Sequence, residues 1–166
     1  MTVRPIRIFG DPVLRTAADP VTAFDAALRA LVDDLADTVR LPGRAGVAAP
    51  QIGVSLRVFA YNVAGQVGHL VNPVLSDFAG EQDDEEACLS LPGLGFATPR
   101  AMSVTARGFD RHGEPLVIHG TGLLARALQH ETDHLDGRLY LDTLTGDVRR
   151  QALRELRRVH PAPQAR

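Results

Sequence analysis

Residues 122–137 read GLLARALQHETDHLDG. Leu123, Ala127, His130 and His134 fall at i, i+4, i+7 and i+11, so they share one stripe of a helix. The spacing predicts an α-helix from Gly122, with Gly137 as its natural C-terminal stop. Histidines at i and i+4 lie close enough on one helix face to bind a single metal ion. Glu131, beside the first of them, is placed to act on a water activated by that metal. The bland alternative is a pair of core histidines hydrogen-bonded to backbone.

Working outward, Gly146 to Val159 reads as a last amphipathic helix with a basic exposed face. Upstream, SVTARGFD and PLVIHG read as two strands around the turn RHGE, and Leu56 to Val63 alternates as a strand. HLVNPVL is a further strand that Pro73 is expected to end. Thr22 to Arg40 carries Phe24, Leu28, Leu31, Leu35 and Val39 at helical spacing, with Thr22 or Asp25 near its start. Pro5, Pro12 and Pro20 leave room for at most one short helix in the first 20 residues. This order of helix, several strands, helix, helix lacks regular alternation and points to an α+β fold with mixed or antiparallel sheets around the HExxH helix. We expect a single domain over residues 1–166, with residues 160–166 a frayed tail.

The chain has 166 residues, 45% of them hydrophobic and 23% charged, values ordinary for a globular protein. Its net charge of −2 argues against a protein held to DNA or RNA mainly by bulk positive charge. No apolar run is long enough to span a membrane, and the start MTVRPIRIFGDPVLR shows no secretory h-region. One cysteine precludes an internal disulfide, and a reducing cytosol is the expected compartment. All 18 basic residues are arginine, which we read as codon bias rather than chemistry.

A catalytic metal site commonly takes three protein ligands and keeps one open position. An extended metalloprotease pattern would place a histidine at position 140, which is Tyr140. A thermolysin-like arrangement would use Glu155, although pairing with a neighbouring arginine explains that residue equally well. Cys88, in the turn-forming setting CLSLPG, offers a soft thiolate, or else packs as a small hydrophobe. GVAAPQIG, residues 46–53, reads by itself as a loop leading into a strand. Its small residues permit close approach of another chain, and Gln51 can donate an amide hydrogen to an oxyanion.

GVAAPQIG, EACLSLPG and QHETDHLDG, in this order and at these separations, resemble peptide deformylase. The resemblance extends over nearly the whole chain, through IFGDPVLRTAADPV, LVNPVL and GLLARALQHETDHLDGRLYLD. It implies removal of the formyl group from N-formylmethionine on newly made polypeptides, with release of formate. It implies Cys88, His130 and His134 as ligands of one divalent ion, ferrous iron first, with zinc, nickel or cobalt able to replace it. By the same resemblance Glu131 is general base and then acid, while the Leu89 N–H and the Gln51 amide donate to the oxyanion. Backbone near Gly46, Val47 and Ala87 is expected to pair with an extended peptide, and Leu123 and Ala127 to line the methionine pocket.

Two positions depart from the family pattern. Arg44 stands where glycine is frequent, which means either a different loop or an arginine at the cleft rim. Ala87 stands where glycine is usual, so its Cβ narrows the cleft or demands negative φ. These departures keep a low-activity, metal- or nascent-chain-binding paralogue as a further alternative beside the thermolysin-like one. Asp133 is expected to pair with an arginine such as Arg100, and Glu86 to be the structural member of the acidic run. His69, His112, His119 and His160 are expected at the surface or in turns. The arginines of the last helix form a solvated face, or else a surface for ribosomal RNA.

Overall fold

The computed structural model describes residues 2–161. Three helices, α1 (Ala26–Val39), α2 (Gly122–Leu135) and α3 (Gly146–Val159), accompany seven strands. The strands are β1 (Gly46–Ala48), β2 (Val58–Val63), β3 (Gln66–Ala79), β4 (Glu85–Ala87), β5 (Gly95–Ala97), β6 (Ser103–Phe109) and β7 (Pro115–Thr121). They form a five-stranded sheet of order β1-β2-β3-β6-β7 and a separate β4-β5 pair. All these ladders are antiparallel, and a parallel bridge joins only Asp19 and Leu56 among the described residues. The α+β expectation therefore holds, with its sheets antiparallel.

The helices begin and end for local reasons. α1 starts at Ala26 because the Asp25 carboxylate accepts from the Leu28 N–H at 3.0 Å, which satisfies one of the orphan donors of the first turn. α2 stops before Gly137, whose φ of +70° suits glycine. That glycine also lies against the backbone of Arg15 and Thr16, at a distance where a Cβ would collide. The short 3₁₀ helix Pro12–Arg15 is the expected single turn of the N-terminal segment.

Pro73 does not end its strand. β3 continues to Ala79, with register shifts between Val71 and Val74 and between Ser76 and Ala79. Pro73 sits in the first of these bulges, where the ladder is already interrupted and a missing N–H costs little. Asn72 takes positive φ there, and its side chain clasps Val21 by accepting from the N–H at 2.8 Å and donating to the carbonyl at 2.9 Å. GVAAPQIG also differs from a plain loop. Gly46–Ala48 pairs with β2, and Ala49–Ile52 closes as a 3₁₀ turn ended by Gly53 at φ +86°.

Three apolar clusters hold these pieces together. Leu28, Leu31, Val32 and Leu35 of α1 pack on Val47, Val58, Ala60 and Val71. Ala125, Leu128 and Leu135 of α2 pack on Phe59, Leu70, Val104 and Ala106. Leu91, Leu94 and Phe96 meet Leu139, Tyr140, Leu144, Ala152 and Leu156, with Cys88 in the same cluster. The helix carrying both histidines is thus fixed against the main sheet while the cysteine is fixed in the C-terminal cluster. Each buried aliphatic or aromatic side chain supplies roughly 1.5–3 kcal/mol. His160 closes α3 with its N–H donating to Leu156 at 2.7 Å, and its ring lies 6.1 Å from that of Phe9. The rest of the expected tail, residues 162–166, lies outside the described residues.

Candidate active site

α2 turns His130 and His134 toward β4 and the turn that follows it. The two Nε2 atoms are 3.2 Å apart, and the Cys88 Sγ lies 3.3 Å from the His134 Nε2. All three donor atoms fall within 4.8 Å of one another, and all three residues are buried. A tetrahedral ion with N ligands near 2.0–2.1 Å and S near 2.3 Å would separate its ligands by about 3.3 Å for N···N and about 3.6 Å for S···N. The donor set and its spacing therefore fit one divalent ion.

The second nitrogen of His130 is engaged. Its Nδ1 lies 2.6 Å from the Glu86 Oε1. Glu86 also receives Arg100 Nε and Nη2 at 3.0 and 2.6 Å and Arg126 Nη1 at 2.7 Å. Desolvation alone would raise the Glu86 carboxyl, but hydrogen bonds from His130 and Arg100 outweigh it and hold it at about 2. Arg100 continues to Asp133 at 2.7 Å, the pairing expected from helical phase. Burial lowers His130, yet the adjacent Cys88 and Glu86 prevail and raise it well above its ordinary value. His134 is held well below its ordinary value by burial and by the neighbouring His130.

Glu131 lies at the floor of the cleft, with Oε2 buried and lacking a hydrogen-bond partner among the described residues. Burial pushes its carboxyl up to about 7, with His130 pulling against it. Its neighbour across the chain is Gly46, where a Cβ would come within 2.2 Å of Glu131 Oε1. Close approach is therefore the specific reason for a glycine at that position. Gln51 is locked at its other end, because its Oε1 accepts from the Ala48 N–H at 2.9 Å. The amide nitrogen is thereby directed to Ser90 Oγ at 3.2 Å and toward Cys88 Sγ at 3.7 Å.

The surrounding cleft has a volume of about 360 Å³ and is lined by Gly46, Gln51, Ala87, Cys88, Leu89, Leu123, Ala127, His130 and Glu131, among others. The expected site residues thus converge, with two qualifications. Val47 is fully buried and packs in the α1 cluster, so only its backbone is available to the cleft. Leu123 is 54% exposed and forms the rim rather than the floor. Ala87 lies in β4 without positive φ, so its Cβ imposes no left-handed strain. Arg44 takes the second of its two alternatives and stands in the cleft wall.

Glu155 does not join this group. It sits on α3 accepting from Gln151 at 2.9 Å, and among the described residues the cluster able to hold a metal is Cys88, His130 and His134. His112 and His119 are exposed, while His69 and His160 are partly buried. Residues that the sequence reading missed are Arg126, Ser90 and Tyr140. Arg126 lies four residues before His130, on the inward stripe, and a charged residue there signals a buried counterion. The Tyr140 ring stacks on His130 at 6.1 Å and 23°.

Residues 3–150 match the sequence profile of the polypeptide deformylase family. A peptide deformylase of Acidothermus cellulolyticus is 56% identical over 164 residues, covering 99% of this chain and 91% of that protein. One of a Parafrankia species is 57% identical, covering 95% and 87%. The crystal structure of a peptide deformylase from Legionella pneumophila superposes with a TM-score of 0.86 at 41% identity, covering 98% of this chain and all of that one. That of the Thermus thermophilus enzyme gives 0.87 at 39% identity over 95% of each. Fold, motif order and near-complete coverage agree, and the chain belongs to the peptide deformylase family.

Proposed function

We propose that Cys88, His130 and His134 hold one divalent ion and that Glu131, Gln51 and Leu89 carry the hydrolysis of an N-formyl amide beside it. Removal of the formyl group from N-formylmethionyl peptides is the activity of the family, and this chain is an amide hydrolase of that class. The observation that supports the residue assignment best is the convergence of one sulfur and two imidazole nitrogens within 4.8 Å. A buried carboxylate lies next in the chain to one of those ligands.

A bound divalent ion supplies Lewis acidity toward the formyl oxygen and makes water a usable nucleophile near neutral pH. Glu131 takes the proton from the attacking water and returns it to the leaving amine. Its buried site, which favours the neutral carboxyl, makes it a stronger base toward that water than an exposed glutamate. The Gln51 amide, immobilised by Ala48, and the Leu89 N–H donate to the oxygen on which negative charge develops. β1 and β4 pair with β2 and β5 respectively, which leaves Gly46 and Ala87 with free strand edges for an extended peptide. Leu123 and Ala127 line the space for the methionine side chain. Because the reacting group is only a formyl, a cleft this narrow at the donor atoms excludes bulkier acyl groups.

Ferrous iron is the ion we assign, with zinc, nickel and cobalt as substitutes, and the chain acts as one domain in the bacterial cytoplasm. No described helix is long and apolar enough to cross a membrane. Arg149, Arg150, Arg154, Arg157 and Arg158 are exposed on α3 and offer a cationic face to ribosomal RNA. Equal cosedimentation with ribosomes after Arg154, Arg157 and Arg158 are changed to Ala removes that part. The main assignment is tested by formate release from a short formyl-Met peptide under anaerobic conditions, with elemental analysis of the protein. We expect release proportional to metal content, and its loss in Cys88→Ser. Metal retained in Cys88→Ser and lost in Glu155→Gln would overturn the ligand set.

A further inference from the structure

Five charged side chains line the cleft: Arg44, Glu85, Glu86, Arg126 and Glu131. Glu86 and Arg126 neutralise one another at 2.7 Å, and Glu131 is buried at the floor. Arg44 and Glu85 remain, and neither makes an ion pair among the described residues. Arg44 is nonetheless held in place, whereas Glu85 is exposed. Arg44 Nη1 donates to the Thr38 carbonyl at 3.0 Å, in the last turn of α1, where a cation satisfies an orphan acceptor and the helix dipole. That bond uses one of five guanidinium donors. The Glu85 carboxylate leans over Gly95, where a Cβ would come within 2.8 Å of Oε1. Gly95 lies on β5 opposite Ala87, so the carboxylate reaches across the ladder while Glu85 still lines the cleft.

The two charges are matched in position. Arg44 precedes Gly46 by two residues, and Glu85 precedes Ala87 by two. Gly46 abuts Glu131, and Ala87 adjoins Cys88, so both charges lie on the side of these backbone sites remote from the reacting end. The extended pairing continues past β1, since the Asn62 N–H donates to the Ala45 carbonyl at 2.8 Å. Two residues of extended chain span roughly 6.6 Å, which sets these charges beside the second and third residues of a bound peptide.

We propose that Arg44 and Glu85 are specificity-determining residues that read the charge of the residues following formylmethionine. Arg44 favours an acidic side chain and Glu85 a basic one. This inference rests on the deformylase reading of the cleft. It makes the outer cleft selective among nascent chains by charge, while the inner cleft selects formylmethionine by size.

The test uses the metal-loaded full chain and C-terminally amidated peptides, formyl-Met-Ala-X and formyl-Met-X-Ala, with X as Asp, Asn or Lys. The readout is the ratio of kcat/KM for each charged peptide to its Asn counterpart. Arg44→Gln should lower the Asp:Asn ratio about threefold at one of the two positions, the scale of an exposed ion pair. Glu85→Gln should lower the Lys:Asn ratio similarly, and raising the ionic strength should bring both wild-type ratios toward one. Ratios that neither variant moves, with the Asn peptides still hydrolysed, overturn this inference and leave the deformylase reading standing. If no peptide is hydrolysed, that reading falls, and calorimetric binding of the same peptides decides the charge preference. Charge-dependent binding that the variants abolish upholds it, and binding without preference, or none, overturns it.

Discussion

Glu86 Oε1 and His130 Nδ1 lie 2.6 Å apart, and this contact decides which imidazole nitrogen is free. An ionised carboxylate at that distance requires the ring proton on Nδ1, which leaves the Nε2 lone pair for the point shared with Cys88 and His134. Glu86 is itself kept ionised by two buried arginines, one of which continues to Asp133 on α2. Orientation of the His130 ring therefore depends on a buried charge network behind it. Glu86→Gln keeps the volume and removes the charge. Metal affinity should fall 10- to 100-fold by chelator competition, and stability should drop by about 3 kcal/mol or more in urea because Arg100 and Arg126 lose a buried partner. Unchanged metal affinity would show that the ring needs no such anchor.

Gly46 and Glu131 meet closely enough that a methyl group cannot be placed between them. Gly46→Ala should push the carboxylate off its position without disturbing the three donor atoms. Misplacement by about 1 Å can cost on the order of 100-fold in rate, so kcat should fall by roughly that factor at normal metal content. Glu131→Gln should be worse, since it removes the proton acceptor altogether. Steady-state kinetics beside metal analysis separates the two. A Gly46→Ala enzyme with full kcat and raised KM would assign the glycine to substrate binding alone.

The limits of legibility follow from the range of the interactions. α3 runs from Gly146 to Val159 as its periodicity predicts, and the HExxH helix likewise, because amphipathic spacing is a local property. Pro73 misleads because the bulge depends on Asn72 taking positive φ and clasping Val21, 51 positions away. Val47 and Gly46 belong to a strand of only three residues, too short to show alternation. Cys88, His130 and His134 were legible through motif order. The role of Arg126 was not, since its counterion Glu86 lies 40 positions upstream. The Arg100–Asp133 pair was recoverable because helical phase placed Asp133 off the metal face.

Gln51 has one end bound by the Ala48 N–H and the other turned to Ser90 and Cys88. Its amide is held in advance in one orientation, as the oxyanion role proposed for it requires. Gln51→Leu should lower kcat on the order of 100-fold with KM little altered. Ser90→Ala, which frees the amide without removing it, should cost less. Equal losses in both variants would mean that the serine hydroxyl, not the amide, makes the decisive contact.

Removing the metal should destabilise the fold as well as stop turnover. The ligands proposed for it come from α2 and from the turn after β4, which belong to different apolar clusters, so an ion bound there would join the two. A ligand at 1,000 times its Kd adds about 4 kcal/mol, or on the order of 10 °C in Tm for a chain of this size. Scanning calorimetry before and after chelation, and again after adding nickel, measures the difference. A Tm indifferent to chelation would place the site outside the cooperative unit.

His69 supplies a pH dependence remote from the metal. Its Nε2 accepts from the Arg111 N–H at 3.0 Å, and only the neutral ring can do so at that nitrogen. Burial lowers its pKa, the charge of Arg111 adds to this, and Asp110 and Asp33 oppose both. A histidine held lower in the folded than in the unfolded state binds its proton less readily when folded. Its contribution is therefore complete above the unfolded value of about 6.5 and is lost as pH falls through the lower folded value. The hydrogen bond itself is worth about 1 kcal/mol. His69→Gln retains an acceptor that does not titrate, so its urea stability should fall less than that of the wild type between pH 7.5 and 5. Parallel losses in the two proteins would show that His69 has no part in the acid sensitivity of the fold.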